Sequence, residues 1–249
     1  MTSKQPEEEA ENKLPDEAKG LRIHQALARQ LGIAIVTGQY QPGDGFGGEI
    51  EQAEAYKVSR TAYREAIRIL IAKGLLDSRP KAGTHVTPRA RWNMLDPDIL
   101  AWMFSSKPDK RFVADLFELR GVIEPAAAML AATRRTDAQV ERMRSALGVM
   151  RQQGLGTVQG RDADQQFHST ILEAAGNEPL ASLASSVGAA VTWTTRFKEQ
   201  SGKLARDPIA EHLAVFDAIE ASDPLLARAT MEELLRLALN DMAQDDLLG

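Results

Sequence analysis

The chain has 249 residues, of which 43% are hydrophobic and 26% charged, with a formal net charge of −5 and no cysteine. This length suits one large domain or two modest ones, and the apolar content is enough to fill real cores. The absence of cysteine excludes disulfide scaffolds and thiolate sites and is typical of a reducing cytosol. No apolar run reaches the roughly 20 residues that span a bilayer. We therefore expect a cytoplasmic protein without membrane segments.

Charge is distributed unevenly along the chain. Residues 1–19 are polar and acidic and lack the apolar stretch of a signal peptide, so we predict a disordered leader there. Residues 21–91 contain eleven basic and six acidic side chains, which leaves a charge of −10 on the rest of the chain. Such an imbalance indicates a segment that faces a polyanion, although solvated helix faces also vary in charge.

Residues 20–90 follow the order of a winged helix-turn-helix. Apolar side chains recur with a helical period over residues 21–38, and a weaker helix is predicted over residues 49–56. Ser59 is placed to cap a third helix over residues 60–73, which Gly74 ends. Two short strands, residues 75–79 and 84–87, then form a hairpin.

The third helix and the hairpin carry the candidate DNA contacts. The N-terminal end of such a helix enters the major groove, where arginine can bind guanine through two hydrogen bonds. Hydroxyl groups at the helix start can bind phosphate, and a glycine in the hairpin allows close backbone approach. The alternative is that the same side chains only form solvated faces. The candidate residues are Ser59, Arg60, Thr61, Tyr63, Arg64, Arg68, Lys81, Gly83 and His85.

The rest of the chain is predicted to be helical. Residues 91–110 form a linker, and residues 111–245 show about six helices separated by caps and by glycine or proline. Helices of this length form a bundle that can enclose a cavity. The predicted fold is therefore mainly α, with an N-terminal winged helix-turn-helix joined to an all-helical domain.

One group of residues in the bundle has the chemistry of a metal site. Asp164 and His168 are four positions apart, so they project from one face of a helix, and His212 lies near the start of a later helix. Two imidazoles and a carboxylate suit zinc, nickel or manganese. An Asp–His pair on a helix surface is the alternative.

Three segments closely resemble the DNA-reading domain of the GntR superfamily. They are VSRTAYREAIR at residues 58–68, AKGLL at 72–76 and AGTHV at 82–86. The resemblance implies a transcriptional regulator that binds an operator in double-stranded DNA. In the second helix the family often has an arginine between two glutamates, whereas this chain has Ile50, so the family's operator preference does not carry over.

The second half resembles the FCD effector domain of FadR-type GntR regulators. The resemblance rests on DQQFH at residues 164–168, AAGN at 174–177, and His212 with Asp223. It implies that Asp164, His168 and His212 occupy three of the family's metal-ligand positions and that Leu234 replaces the fourth. Segments 92–102 and 119–126 are most similar to galactonate-operon repressors. This similarity implies a sugar acid as effector.

Two arginines are candidate effector ligands. Arg120 lies on a helix with many apolar residues and could bind a carboxylate with its planar guanidinium, or it could pair with Glu124 four residues later. Arg196 is the second candidate, with a surface or structural role as the alternative.

Together these features predict a homodimeric, metabolite-responsive repressor that binds a pseudo-palindromic operator and releases it when a small carboxylate binds. The competing interpretation is a metal-dependent hydrolase, because an Asp–His–His site with an open position could activate water. Glu173 is the nearest later carboxylate on the helix of His168, but it lies five residues further on and faces elsewhere, which leaves no obvious general base.

Overall fold

A computed structural model of the chain describes residues 22–79, 83–200 and 206–243. The described residues separate into two compact units, with the boundary between Ser106 and Lys107. The predicted leader at residues 1–19 and Lys81 at the hairpin tip lie outside the described residues. Each unit is built around its own apolar core.

The first unit contains three helices and a small sheet in the predicted order. The helices are α1 (Ile23–Val36), α2 (Glu49–Ala55) and α3 (Arg60–Ala72), and the strands are β1 (Gly45–Phe46), β2 (Leu76–Arg79) and β3 (Gly83–Val86). The sheet is antiparallel with the order β1-β3-β2. This arrangement is the winged helix-turn-helix expected from the sequence, with one strand, β1, that the sequence did not predict.

Local signals explain where α3 begins and ends. The side chain of Ser59 accepts a hydrogen bond from the backbone N–H of Ala62 at 3.1 Å, which is the predicted N-cap. Ala66, Ile67 and Leu70 are buried on the inner face of the helix. Gly74 has φ +78°, a left-handed conformation that ends the helix and that other residues adopt only with strain.

The segment predicted as a linker forms part of the first unit for most of its length. Its first residue, Arg91, ends a 3-10 turn (Arg89–Arg91), and the segment continues into helix α4 (Pro97–Met103), which packs against α1. The ring of Trp102 fills the space beside Gly32, where a Cβ atom would lie 2.2 Å from the indole. Lys73 pairs with Asp96 at 2.7 Å and so ties the end of α3 to the start of α4. Only residues 107–110 of the predicted linker fall in the second unit.

The second unit consists of helices. They are α5 (Lys110–Arg134), α6 (Asp137–Gln153), α7 (Val158–Ala174), α8 (Glu178–Ala181), α9 (Ala184–Gln200), α10 (Ile209–Glu220) and α11 (Pro224–Ala243). Helix α11 packs on α5 and α10, and α7 packs on α6 and α9. The side chain of Asn177 caps the start of the short helix α8, and Ser182 and Leu183 separate α8 from α9. No helix in the described part of the chain is long and apolar enough to cross a membrane.

Candidate functional site

The exposed face of α3 carries most of the predicted DNA contacts. Arg60, Thr61 and Arg64 are exposed, and Arg64 has no ion-pair partner among the described residues. Arg68 is also exposed and pairs with Glu65 at 2.7 Å. Because exposed ion pairs of this type contribute little, DNA phosphate can compete for Arg68 at small cost. The hydroxyl oxygen of Ser59 accepts the capping hydrogen bond, so this hydroxyl can contact DNA only by donating its own proton to a phosphate.

Tyr63 is a correction to the predicted set. Its side chain is 4% exposed and lies on the same face of α3 as Ala66, Ile67 and Leu70, which are part of the core. Burial raises the pKa of the Tyr63 hydroxyl, with a smaller contribution from Tyr40. The residue therefore supports α3 from within and does not face the solvent side where DNA would lie.

The hairpin residues differ in their accessibility. Gly83 is exposed with φ +82° at the start of β3, which fits the predicted close backbone approach at this position. His85 is half-buried, and its ring packs beside Gly45 of β1, where a Cβ atom would lie 3.2 Å from the imidazole. His85 therefore exposes only part of its ring at the surface of the wing.

The second unit contains a cavity at which the three predicted metal ligands meet. Asp164, His168 and His212 are 2–3% exposed, and one candidate ligand atom from each lies within 4.8 Å of the others. His212 Nε2 lies 3.0 Å and His168 Nε2 lies 3.5 Å from the same oxygen, Oδ1 of Asp164. Two imidazole nitrogens and a carboxylate oxygen therefore point at one place from helices α7 and α10.

The other nitrogen of each histidine ring is held by the protein. His212 Nδ1 lies 2.7 Å from the carbonyl oxygen of Pro208, and His168 Nδ1 contacts the carboxylate of Glu124. This arrangement fixes both rings with Nε2 toward Asp164. Such support through the second nitrogen is typical of metal-binding histidines.

Electrostatics keep the buried carboxylates ionised. Burial alone would raise the pKa of Asp164, but hydrogen bonds and charges from His168 and His212 outweigh it, so the pKa lies below its usual range. Burial also opposes the charge on His168, yet the carboxylates of Glu124 and Asp164 raise the pKa of His168 to about 9. The two carboxylates thus favour the charged form of the His168 ring.

Arg120 lines the same cavity. It is 4% exposed, and its Nε donates a hydrogen bond of 2.6 Å to Glu124. The predicted helical pair with Glu124 is therefore present, and the guanidinium reaches the cavity as well. The role of Arg120 in binding an effector stays a prediction.

Comparison with known proteins identifies the family. Residues 23–86 match the model of the bacterial regulatory proteins, gntR family, and residues 115–237 match the FCD domain. The galactonate operon transcriptional repressor of Escherichia coli is 34% identical over 196 residues, which cover 78% of this chain and 85% of that protein. The chain belongs to the gntR family.

Two further proteins resemble this GntR-family chain. YieP of Escherichia coli, an uncharacterized HTH-type transcriptional regulator, is 33% identical over 215 residues, which are 84% of this chain and 91% of that protein. The solved structure of Lar, which controls the expression of the Listeria monocytogenes agr system, covers 90% of this chain with a TM-score of 0.63. The alignment includes 97% of the Lar chain, but the two sequences are only 16% identical. The similarity therefore supports the fold alone.

The GntR-family chain is a metabolite-responsive, DNA-binding transcriptional regulator. The gntR family model describes bacterial regulatory proteins, and both of the curated relatives above are named as regulators of transcription, so the chain is not an enzyme. The competing hydrolase interpretation finds no support in these relatives.

The second predicted effector ligand, Arg196, lies elsewhere. It is exposed, and its guanidinium carbon lies 5.0 Å from the centroid of the Trp193 ring. Two other basic residues of the described chain, Lys198 and Arg206, line the cavity in this region, whereas Arg196 does not. Helix α9 turns its Val191, Thr194, Thr195 and Lys198 toward the cavity, a spacing that excludes Arg196 from the same face.

Sequence reasoning missed the charged cluster that Lys198 and Arg206 form with Asp241 of α11. Lys198 Nζ lies 3.6 Å from Asp241 Oδ2, and Arg206 Nη2 lies 3.1 Å from the same oxygen. Burial lowers the pKa of Lys198, Asp241 raises it, and Arg120 and Arg206 lower it further, which leaves a net decrease. The sequence gives one signal for this cluster. Lys198 follows Thr194 and Thr195 at the spacing of one helix face, so all three side chains can line the same cavity.

Proposed function

We propose that this regulator is a homodimeric repressor released from its operator by a sugar acid that binds in the cavity of the second unit. The observation that carries the proposal is the convergence of Asp164, His168 and His212 beside Arg120 in one buried cavity. The cavity has a volume of about 100 Å³ and opens to solvent. The galactonate operon repressor among the relatives supports a sugar acid as the class of effector.

The three ligands fit a divalent metal ion. Two imidazoles and one carboxylate are a donor set that zinc, nickel and manganese accept, and both rings are held through Nδ1. Leu234, at the position of the family's fourth ligand, also lines the cavity and brings no donor atom. When bound, the ion would supply a Lewis-acidic position for oxygen atoms of the effector.

Arg120 would bind the carboxylate of the effector. Its Nε is engaged by Glu124, and the described residues provide no hydrogen-bond partner for its two terminal nitrogens. A planar guanidinium whose two terminal nitrogens form a free edge is suited to a carboxylate, and the low exposure of the site strengthens such a charged hydrogen bond. Arg120 is thus a binding residue that Glu124 holds in place.

The first unit would read the operator through α3 and the wing. We assign base contacts to Arg60 and Arg64 and phosphate contacts to Thr61, Arg68 and the Gly83 backbone. Two copies of the chain would read two matched half-sites, because a symmetric dimer demands a pseudo-palindromic operator. The protein would act in the cytoplasm, where its DNA lies.

Repression would end when the effector prefers the form that binds DNA poorly. A ligand shifts such an equilibrium only by its difference in affinity for the two forms. For regulators of this kind the coupling is typically about 1–3 kcal/mol, which is roughly 5- to 150-fold in operator affinity.

The metal and effector parts of the proposal are tested on the full-length protein. Purified protein is analysed for bound divalent ions, and its melting temperature is measured with a panel of sugar acids, galactonate included. A ligand that binds the folded state raises the melting temperature. His168→Ala and His212→Ala should lose both the ion and the shift, whereas His24→Ala, a histidine of the first unit, should lose neither.

The DNA part is tested by a gel shift with DNA from upstream of the gene at several salt concentrations. Binding dominated by phosphate contacts falls steeply with salt. The proposal predicts a shifted band that the active sugar acid removes. A band that every tested acid leaves unchanged, from protein that the same acids stabilise, would contradict effector-controlled release.

A further inference from the structure

The cavity has a second polar end, which is formed by Lys198, Arg206 and Asp241 and which we name the far pole. All three side chains line the cavity and are 13%, 27% and 31% exposed, respectively. Behind them, Glu211 pairs with Arg206. Two cations and one carboxylate line the cavity here, so the far pole combines hydrogen-bond donors with an acceptor.

The cavity has the far pole at one end and the three candidate metal ligands at the other, which we name the metal-ligand end. The Thr195 hydroxyl is 3.5 Å from Asp164 Oδ2, and Lys198 follows three residues later on the same helix. On α11 the cavity wall runs from Leu234 to Asp241, which is seven residues or about 10 Å at 1.5 Å per residue. An extended molecule of about six carbon atoms is of the length needed to touch both ends.

The two ends differ in the charge that they can accept. The metal-ligand end has Arg120 and, with an ion bound, excess positive charge, so it suits a carboxylate. At the far pole, Asp241 already accepts from Arg206 and lies beside Lys198. A second carboxylate placed there would meet the charge of Asp241, whereas a hydroxyl can donate to Asp241 and accept from Lys198.

We propose that the far pole makes the regulator selective for linear polyhydroxy acids with one carboxylate, because it binds the hydroxyl end and rejects a second carboxylate. Asp241 is the residue that determines this specificity, and Lys198 is its cationic partner. The inference rests on the proposed function, since it assumes that a sugar acid occupies the cavity.

The test compares galactonate with galactarate, which has the same carbon chain and a carboxylate at both ends. Binding of each acid to the full-length protein is measured by calorimetry, and the readout is the ratio of the two dissociation constants. The wild-type protein should bind galactonate at least tenfold more tightly. Asp241→Asn removes one negative charge from the far pole and should move the ratio at least tenfold toward galactarate.

Two further variants separate selectivity from general damage. Lys198→Gln removes one positive charge from the far pole and should move the ratio in the opposite direction, so the proposal stays testable if Asp241→Asn does not fold. Glu232→Gln makes the same charge change as Asp241→Asn on the exposed face of α11 and should keep the wild-type ratio.

Each result bears on one proposal or the other. Equal loss of both acids in Asp241→Asn, or wild-type binding of galactarate as tight as that of galactonate, overturns the role of the far pole and leaves the proposed function standing. If folded, DNA-binding protein binds neither these acids nor any other sugar acid of the panel, the proposed effector class is wrong and the role of the far pole falls with it.

Discussion

The Nδ1 atom of His168 contacts a carboxylate oxygen of Glu124, which lies 44 residues earlier in the chain and is completely buried. The same carboxylate accepts the hydrogen bond from Arg120 Nε. Burial alone would raise the pKa of Glu124, but the charges of Arg120 and His168 outweigh it and bring the pKa to about 2. One ionised side chain thus positions both the candidate effector arginine and a candidate metal ligand.

Glu124→Gln should lower the affinity for zinc or manganese by about 10- to 100-fold, the usual effect of losing a carboxylate behind a metal-binding histidine. The amide remains an acceptor for Arg120 but no longer provides the charge that holds the His168 ring. Competition with a chelator of known affinity measures the effect. Glu118→Gln, at an exposed position of the same helix, is the control. Unchanged affinity in folded Glu124→Gln would show that Glu124 does not support the site.

Most helix ends could be predicted because their signals are local. Ser59 caps α3, Thr136 caps α6, and Gly74 and Gly154 follow helices with positive φ. Strand β1 could not be predicted in this way. It has two residues, and it exists only because Gly45 and Phe46 pair with β3, about 40 positions later in the chain.

The candidate site was predictable in part for the same reason. Asp164 and His168 share a helix face, whereas the contact of Lys198 with Asp241 joins two distant helices and leaves no local pattern. The correction at Tyr63 could have come from the sequence, because Tyr63, Ala66 and Leu70 have the spacing of one helix face. The packing of α4 on α1 could not be predicted from local sequence, because it depends on a distant pair of residues. The Trp102 ring fits only where Gly32 lacks a side chain.

Arg64→Ala should reduce affinity for the specific operator by about 10- to 100-fold, because an arginine that binds guanine contributes about 1–3 kcal/mol of discrimination. Binding to unrelated DNA should change little, since losing one positive charge removes at most one phosphate contact. Gel shifts with operator and scrambled DNA measure both affinities. Arg111→Ala removes another exposed positive charge, from the second unit, and serves as the control. An equal loss on both DNAs would reassign Arg64 to the phosphate backbone.

Tyr63 should behave as a core residue. Tyr63→Phe keeps the buried ring and is expected to leave operator affinity within about twofold and stability within about 1 kcal/mol. Tyr63→Ala should lower the free energy of unfolding by about 3–5 kcal/mol, the usual cost of removing a buried aromatic side chain. Thermal denaturation and gel shifts distinguish the two. A Tyr63→Phe protein that is stable yet binds its operator poorly would restore the hydroxyl as a DNA contact.

Two glycines should respond in opposite ways to alanine. At Gly74 the backbone has φ +78°, and a Cβ atom would lie 2.2 Å from the carbonyl oxygen of Arg91, so Gly74→Ala must shift the backbone. We expect a loss of about 1–3 kcal/mol in the stability of the first unit, because strain and a steric clash combine.

Gly148 lies inside α6, and a Cβ atom there meets nothing within 4 Å. Gly148→Ala should therefore stabilise the second unit by about 0.5–1 kcal/mol, since alanine loses less conformational entropy in a helix. Calorimetric unfolding of both variants measures these changes. A Gly74→Ala protein as stable as the wild type would mean that residues 89–93 do not pack closely against the end of α3.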